Sequence, residues 1–410
     1  MTYLVMCCGL YTSLASALSD NGKNRVLYYT PYGSKYPKYE EFAPGDHFEF
    51  LEKVKYPFDF IDQADVIVNF DCSNQDMINY LRKKYPEKSI FGSGLGARIE
   101  DDRIAFKKWL NLLDLPVVPY KIVKGMTALR EYLKSNPKKI VKVNIFRGDF
   151  ETLKADSLEA VEQVLKDREP KLGMISESIE FIVEDQIDSK AEIGFDGFFN
   201  GKEYIPFSWG FECAKNLYIG KVGEAPDMLM ETLDAFQPLY TKMNYRGSLS
   251  TEELVTAKGK HFFIDPCNRV ALPLGVLYSK YINNWAQVVS EIGLGKDVEI
   301  DCEQKYVGAF ALSSRNAREY FTRVDFEKGK RDDFRFMFGC QDIKGNYYAV
   351  KGVEEIVVVT AGGETVEEVV AQLKERAQNV SAFGLETEEI NSIDDVKERI
   401  AQGKEVGIEF

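Results

Sequence analysis

Two carboxylates at the ends of a predicted β-hairpin have the chemistry of a metal site. The runs "SLSTEELV" and "HFFID" predict adjacent strands that carry Glu252 and Asp265, and Asn268 follows shortly after the second strand. Carboxylate and amide oxygens on neighbouring strand ends are the ligands that Mg²⁺ needs when it bridges two nucleotide phosphates. An acid at a strand end is also common in ordinary solvated turns, so this prediction depends on the residues upstream.

A lysine on a strand and a glycine in the following loop have the properties of a phosphate site. The run "KKIVKVN" places Lys142 on a strand, where its ammonium can contact phosphate oxygens as a compact point charge. Gly148 follows in a short loop, and a glycine leaves its amide N–H accessible to an anion. A strand lysine is also common as a solvated edge residue, so its meaning again depends on its neighbours.

The segment "FIVEDQIDSKAE" changes from an apolar strand to a polar stretch and has the form of an adenosine site. We expect backbone groups of Glu184, Asp185 and Ile187 to bind adenine, with a carbonyl for its amino group and an N–H for a ring nitrogen. Glu192 can accept hydrogen bonds from both ribose hydroxyls with its two carboxylate oxygens. With Lys142 and the hairpin acids, these residues predict a nucleotide site.

The elements that would position these residues follow two patterns of predicted secondary structure. Up to residue 92, strands alternate with helices, which predicts a small parallel α/β sheet. Hairpin-linked strands with interspersed helices follow, which predicts an α+β region of largely antiparallel sheet. After residue 300, another strand-rich segment leads to a helix that Thr365 can cap and then to a helical tail. The predicted fold class is therefore α/β and α+β.

Composition argues against several classes of protein. The net charge of −13 argues against a nucleic acid or an anionic membrane as the main partner. Seven cysteines without a CxxC pair predict a reducing compartment and no structural zinc, and two histidines argue against a multi-histidine metal site. No apolar run is long enough to span a bilayer, and the N-terminal segment lacks the basic start of a signal peptide. We therefore expect a cytoplasmic protein, either a monomer or a homodimer.

One glycine-rich motif allows a different function. The stretch "FGSGLGA" (91–97) fits the GxGxxA form of a dinucleotide-binding turn, and Asp114 lies near the expected distance from it. The preceding strand is short, however, and the motif ends the α/β segment instead of opening it. A glycine-rich connection between domains is the alternative explanation.

Taken in order, these motifs resemble the ATP-grasp superfamily, and most of all the phosphoribosylamine–glycine ligase family, over nearly the whole chain. Arg103 in "DDRIAFKKWL" stands where that family usually has a nucleotide-contacting lysine, and Lys142 matches the lysine of its "VVKA" strand. "IVEDQIDSKAE" matches its adenine and ribose hinge, and "YRGSLS" followed by "FFIDPCNR" matches its metal-binding segment. "VVVTAGGETVEEV" is similar to its C-terminal domain.

The resemblance implies an organisation and a reaction. It implies a pre-ATP-grasp domain (1–92), a two-part ATP-grasp domain with antiparallel sheets (93–300) and a small C-terminal α+β domain with a helical tail (301–410). ATP and Mg²⁺ (or Mn²⁺) would convert a small carboxylate substrate into an acyl phosphate, which an amine captures to form an amide. Lys215 would contact the γ-phosphate or the acyl phosphate, and Arg269 would steady the phosphate or the carboxylate substrate.

Departures from the family keep alternatives open. Cys267 occupies the position of the family's metal-binding asparagine, one residue before Asn268, and a thiol is a poor ligand for the hard Mg²⁺ ion. The N-terminal glycine-rich turn reads "CCGLYTSLA", and "GEAPDMLM" stands after the phosphate loop, so a different or altered substrate is expected. The alternatives are a nucleotide-binding regulator with impaired turnover, a phosphoribosylamine–glycine ligase with drifted motifs, and an NAD(P)-dependent oxidoreductase.

Overall fold

A computed structural model describes residues 1–31, 43–145, 152–214, 216–327 and 329–410. Gly148 and Lys215, which the sequence places at the phosphates, lie outside the described residues. The predicted mixture of α/β and α+β architecture is confirmed, because one sheet is parallel and the others are antiparallel.

The N-terminal segment forms the predicted parallel sheet. Its strands are β1 (Thr2–Met6), β2 (Arg25–Tyr29), β3 (Leu51–Lys53), β4 (Val66–Val68) and β5 (Ser89–Phe91), and its helices are α1 (Thr12–Ala17) and α2 (Gln75–Lys84). The spatial order is β3-β2-β1-β4-β5. The apolar run of β1 is buried on both faces, as expected for a central parallel strand. The short strand β3, "LEK", has no apolar alternation, which is why the sequence did not predict it.

A small antiparallel sheet and the helices around it carry the basic residues. Its strands are β6 (Tyr120–Lys124), β7 (Lys139–Val143), β8 (Thr152–Ala155) and β9 (Glu180–Asp185), in the order β6-β9-β7-β8. The helices are α3 (Ala97–Asp101), α4 (Arg103–Leu112), α5 (Met126–Ser135) and α6 (Leu158–Leu172). Val141 and Val183 pack with Leu129 and Leu165 of α5 and α6 in one apolar cluster. Because strand side chains alternate, Lys142 and Glu184 point to the opposite face.

A large antiparallel sheet faces the small one and continues into the C-terminal part of the chain. Its strands are β10 (Ser189–Phe199), β11 (Tyr204–Ala214), β12 (Leu217–Val222), β13 (Gly247–Thr256), β14 (His261–Cys267), β15 (Tyr306–Ser313), β17 (Phe334–Arg335) and β20 (Glu355–Gly363). The order is β14-β13-β10-β11-β12-β15-β20-β17. Strands on both sides of residue 300 therefore belong to one sheet, and the domain boundaries stay a prediction.

The remaining elements complete the C-terminal part. A further sheet contains β16 (Thr322–Asp325), β18 (Gly339–Gln341), β19 (Tyr347–Ala349) and β21 (Ser381–Ala382), and the helices are α7 (Asp227–Lys242), α8 (Tyr278–Tyr281), α9 (Trp285–Leu294), α10 (Val366–Gln378) and α11 (Val396–Glu405). The predicted cap of α10 is confirmed: the Thr365 side chain accepts from the Glu368 N–H in a capping box. Within the described ranges, no helix has the length and apolar character to cross a membrane.

Candidate functional site

Lys142 connects the two facing sheets. It projects from β7, and its Nζ donates to the Ile264 carbonyl of β14 at 3.1 Å. The same Nζ lies 3.6 Å from Glu184 Oε2 and 4.0 Å from Asp265 Oδ2. Burial lowers the pKa of Lys142, but the charges of Asp265 and Glu184 outweigh burial and the net shift is upward. The lysine therefore stays charged at the base of a cleft between the sheets.

Helix α4 adds two cations to this cleft. Asp102 caps the helix by accepting from the Ala105 N–H, which fixes Arg103 in the first turn and Lys107 one turn later. Arg103 Nη1 donates to the Val143 carbonyl at 2.9 Å, and its Nη2 lies 3.7 Å from Asp265 Oδ2. Arg103 thus lies beside the predicted metal carboxylate, where the resemblance places a nucleotide contact.

Sequence reasoning missed Lys107. Its Nζ lies 2.5 Å from Glu184 Oε1, and both side chains are nearly inaccessible to solvent. Burial lowers the pKa of Lys107, and the charge of Glu184 works in the opposite direction. The spacing of four residues from Arg103 was a usable signal, since residues i and i+4 share one face of a helix.

Four carboxylates lie close together on neighbouring strands of the large sheet. Glu252 and Asp265 are direct cross-strand partners in the β13–β14 hairpin. Glu192 of β10, Glu212 of β11 and Glu252 each offer an oxygen, and these three oxygens lie within 4.8 Å of one another. Glu192, predicted to bind ribose, thus stands in a carboxylate cluster, and Glu212 joins it although the sequence did not single it out.

The electrostatics of this cluster fit a divalent cation. Burial raises the pKa of Glu252 well above its ordinary value, and the charges of Asp265, Glu212 and Glu192 raise it further. Burial and the charges of Glu192 and Asp265 raise the pKa of Glu212 to about 8. Mutual repulsion of this kind is relieved by a bound cation, and an all-oxygen donor set suits Mg²⁺ or Mn²⁺.

The predicted adenine segment lies at the end of β9. The Asp185 side chain pairs with Lys139, and its backbone N–H donates to the Pro119 carbonyl at 3.0 Å. Because this N–H and that of Gln186 already have backbone partners, Ile187, two residues beyond β9, is the residue expected to supply the donor that adenine needs. The adenine role of this segment stays a prediction.

Asn268 and Arg269 lie in a buried network beyond β14. The Asn268 side chain accepts from the Tyr240 hydroxyl at 2.8 Å and donates to the Gly96 carbonyl at 2.6 Å. Glu100 accepts from the Asn268 N–H at 2.6 Å and from Arg269 Nε at 3.0 Å. The amide oxygen of Asn268 is therefore engaged by a protein donor, and the carboxylate cluster forms without it.

Cys267 borders both regions as a neutral thiol. It is the cross-strand partner of Ser250. Burial raises the pKa of Cys267 well above its ordinary value, which disfavours the thiolate that binds metals. The expectation that this residue is a poor Mg²⁺ ligand is thus supported by its surroundings.

The "FGSGLGA" stretch is a packed connection. Residues Gly94–Gly96 form one 3₁₀ turn, in which Gly94 and Gly96 are buried. A Cβ on Gly96 would lie 2.1 Å from Tyr245 Cδ2, so this glycine permits a close approach between segments. The Gly92 N–H donates to the Arg246 carbonyl at 2.7 Å. Because these glycines contact protein, the turn gives no support to the dinucleotide alternative.

Known structures share this fold across nearly the whole chain. The phosphoribosylamine–glycine ligase of Thermotoga maritima is 15% identical with a TM-score of 0.68, covering 94% of this chain and 98% of that one. The biotin carboxylase domain of the Hydrogenobacter thermophilus 2-oxoglutarate carboxylase, solved with MgADP and bicarbonate, is 11% identical with a TM-score of 0.69, covering 97% and 94%. N5-carboxyaminoimidazole synthetase of Staphylococcus aureus, complexed with ADP, is 14% identical with a TM-score of 0.61, covering 92% and 96%.

At these identities, the likeness establishes the fold. The predicted resemblance to ATP-grasp enzymes, including phosphoribosylamine–glycine ligase, is confirmed at that level. The chain matches no protein-family model, and no curated protein is significantly similar to it in sequence.

Proposed function

We propose that this protein is an ATP-dependent carboxylate–amine ligase that forms an amide through an acyl phosphate. The observation that carries the proposal is the convergence of Arg103 and Lys142 with Glu252 and Asp265 between two facing sheets. Cations placed beside a carboxylate cluster suit the phosphates of a metal–nucleotide complex. Two of the solved structures that share the fold contain ADP, which is consistent with this proposal.

In the proposed reaction, the residues of the cleft act by position and charge. A substrate carboxylate attacks the γ-phosphorus of ATP, and ADP leaves. Lys142 and Arg103 offset charge on the phosphoryl oxygens, since such transfers depend mainly on orientation and electrostatics. Glu252, Asp265, Glu192 and Glu212 would hold Mg²⁺, which would offset the negative charge of the phosphate groups. An amine then displaces phosphate from the acyl phosphate and loses a proton.

The predicted roles of Lys215 and Gly148 at the phosphates, and of Arg269 at the phosphate or the carboxylate, remain part of the proposal. Arg269 is oriented by its ion pair with Glu100 of α3. Glu184 would hold Lys107 and Lys142 in place while its backbone, with that of Asp185 and Ile187, binds adenine.

Thermal melting with ATP, ADP, NAD and NADP, each with and without Mg²⁺, tests the proposal first. A ligand that binds the native state alone raises the melting midpoint. We expect a Mg²⁺-dependent shift with ATP, and ADP release when pairs of acids and amines are added. A shift with NAD or NADP and none with ATP would refute the nucleotide site.

Replacement of Lys142 tests the phosphate contact. Lys142→Ala is expected to weaken ATP binding by about tenfold, because a charge-assisted hydrogen bond to phosphate is lost. Lys154→Ala, an exposed lysine on the adjacent strand β8, serves as the control and leaves the affinity unchanged. Isothermal titration calorimetry on folded variants measures both. Equal affinities for the two variants would remove Lys142 from the site.

A nucleotide-binding protein with impaired turnover is the second candidate. The buried neutral thiol of Cys267 favours it, since the family has a metal-binding amide at that position. Under this alternative, ATP still raises the melting midpoint, yet no acid–amine pair releases ADP. Cys267→Asn would then restore ADP release if the thiol is the cause.

A further inference from the structure

A second cavity adjoins the carboxylate cluster, where β10 begins and β11 ends. Its volume is about 210 Å³, which is smaller than the range of about 300–1,000 Å³ typical of a complete small-ligand pocket. Glu192 and Glu212 line this cavity and also belong to the carboxylate cluster. The cavity is therefore an extension of the proposed nucleotide site, with room for part of a ligand.

The cavity lies between the two ends of that site along the chain. The segment proposed to bind adenine ends at Ile187, and the carboxylate cluster begins at Glu192. Ser189 and Lys190, which stand between these two positions, both line the cavity. In ATP, the ribose and the α-phosphate connect adenine to the phosphates that bind the metal. The cavity is thus placed for the ribose and the α-phosphate.

The C-terminal helix α11 supplies one wall of this cavity through Arg399. Val396 and Gly403 of this helix are buried, and a Cβ on Gly403 would lie 2.5 Å from Phe211 Cζ of β11. The ring centre of Phe410, after the helix, lies 5.1 Å from that of Phe211. Arg399 follows Val396 by three residues and precedes Gly403 by four, so the three share one helix face. Close packing on β11 therefore fixes the position of Arg399 beside the strand ends.

The two cations of the cavity are open to a ligand. Among the described residues, no hydrogen bond or ion pair engages the side chain of Arg399 or of Lys190. Burial raises the pKa of Glu192, and the charges of Lys142 and Arg399 act in the opposite direction. Arg399 is thus close enough to influence Glu192 without pairing with it. Once Glu192 and Glu212 bind a metal ion, the positive charges of Arg399 and Lys190 remain for an anion.

Given the proposed function, on which this assignment rests, we propose that Arg399 and Lys190 bind the α-phosphate of the nucleotide. An arginine donates two parallel N–H groups to one phosphate, and a lysine contributes a compact point charge. The two residues come from different parts of the chain, Lys190 from β10 and Arg399 from α11. The C-terminal helix is thereby part of the nucleotide site as well as a cover for the large sheet.

Calorimetric titration of the full chain with Mg²⁺–ATP and with Mg²⁺–pyrophosphate tests the assignment. Pyrophosphate carries two phosphates for the metal and Lys142, and it lacks the nucleoside and the α-phosphate. Arg399→Gln should weaken ATP binding by about tenfold, because a charge-assisted hydrogen bond is lost, and should leave pyrophosphate binding unchanged. Lys190→Gln should weaken ATP binding by about threefold, since an ammonium holds the phosphate at a single point. Lys142→Ala should weaken the binding of both ligands.

A lysine on the same helix provides the matched control. Lys397 Nζ lies 3.9 Å from Glu367 Oε1 of α10, and Lys397 does not line the cavity. Lys397→Gln removes the same charge from α11 as Arg399→Gln and should leave both affinities unchanged. Arg399→Lys keeps the charge and should retain ATP affinity within about threefold of wild type. Because Arg399 is exposed, each variant should keep the wild-type melting midpoint without ligand.

Three outcomes would overturn the assignment and leave the proposed ligase intact. In the first, Arg399→Gln binds ATP as tightly as wild type while Lys142→Ala binds it more weakly. In the second, Arg399→Gln weakens pyrophosphate binding as much as ATP binding, so that Arg399 contacts the metal-bound phosphates. In the third, Lys397→Gln weakens ATP binding as much as Arg399→Gln does, which is a general effect of charge. Failure of wild type to bind Mg²⁺–ATP would instead refute the proposed function itself.

Discussion

Strand β14 and the residues after it carry two polar regions whose charges are compensated in different ways. At Asp265, carboxylates from β10, β11, β13 and β14 repel one another beside cations from the facing sheet. Three residues later, Asn268 and Arg269 find their partners inside the protein, in Tyr240, Gly96 and Glu100. The comparison teaches that residue type alone does not identify a ligand site. Carboxylates that repel one another point to a bound cation, whereas the side chain of Arg269 is held in one orientation by Glu100.

The largest expected effect concerns the cations of the cleft. Lys107→Met should lower the free energy of unfolding by about 3–5 kcal/mol, because it leaves buried Glu184 without its nearest partner. The double variant Lys107→Met/Glu184→Gln should recover most of this loss, since no uncompensated charge remains. Urea denaturation measures all three proteins.

Lys139→Met is the matched control for that experiment. Lys139 pairs with Asp185, whose side chain is half exposed, so its loss should cost less than about 1 kcal/mol. If Lys107→Met and Lys139→Met lower the free energy of unfolding equally, Lys142 alone compensates the charge of Glu184. The Lys107–Glu184 pair would then contribute little to stability.

The next effect concerns the carboxylates. Asp265→Asn keeps the shape of the side chain and removes one charge, so Mn²⁺ affinity and Mg²⁺-dependent ADP release should each fall by about 100-fold. Electron paramagnetic resonance follows Mn²⁺, and a coupled assay follows ADP. Asp62→Asn, on the surface of the N-terminal segment, should change neither. Full activity of Asp265→Asn would move the metal site elsewhere.

Asn268 probes the other side of the comparison. Asn268→Ala removes two buried hydrogen bonds, so unfolding should become easier by about 2 kcal/mol while Mn²⁺ affinity stays within about twofold. Asn136→Ala, which removes one partly exposed hydrogen bond, should cost less than about 1 kcal/mol. A tenfold loss of Mn²⁺ affinity in Asn268→Ala would instead support the sequence prediction that Asn268 is a metal ligand.

The sequence predicted those features of the fold that depend on short stretches of the chain. The sequence predicted the β13–β14 hairpin with Glu252 and Asp265, the strand that carries Lys142, and the helix cap at Thr365. Each of these features depends on residue alternation or spacing within one local element. Local residue patterns did not predict that two sheets face each other at Lys142. It entered through the resemblance to a family.

What the sequence missed depends on contacts between distant segments. Glu100 looks like an ordinary helical acid until the fold brings Asn268, 168 residues away, to its carboxylate. Lys107 looks like a solvated helical lysine until β9 places Glu184 against it. Glu212 enters the cluster because β11 pairs with β10, which aligns it near Glu192. No spacing rule reports such pairs, since tertiary packing creates them.

The smallest expected effect lies on the opposite face of the same hairpin, where His261 pairs with Glu253. His261 Nδ1 lies 2.7 Å from the Glu253 carboxylate, and this hydrogen bond is the main cause that raises the pKa of His261. A raised folded-state pKa means that the stabilisation is present below the unfolded value of about 6.5 and is lost as pH rises through the folded value.

From pH 6 to pH 9, wild type should lose about 1 kcal/mol more unfolding free energy than His261→Gln, allowing for partial exposure. His47→Gln, which alters an exposed histidine, should keep the wild-type slope. If His261→Gln also keeps that slope in urea denaturation, the Glu253 pair does not govern pH dependence, and internal compensation on this face is weaker than the geometry indicates.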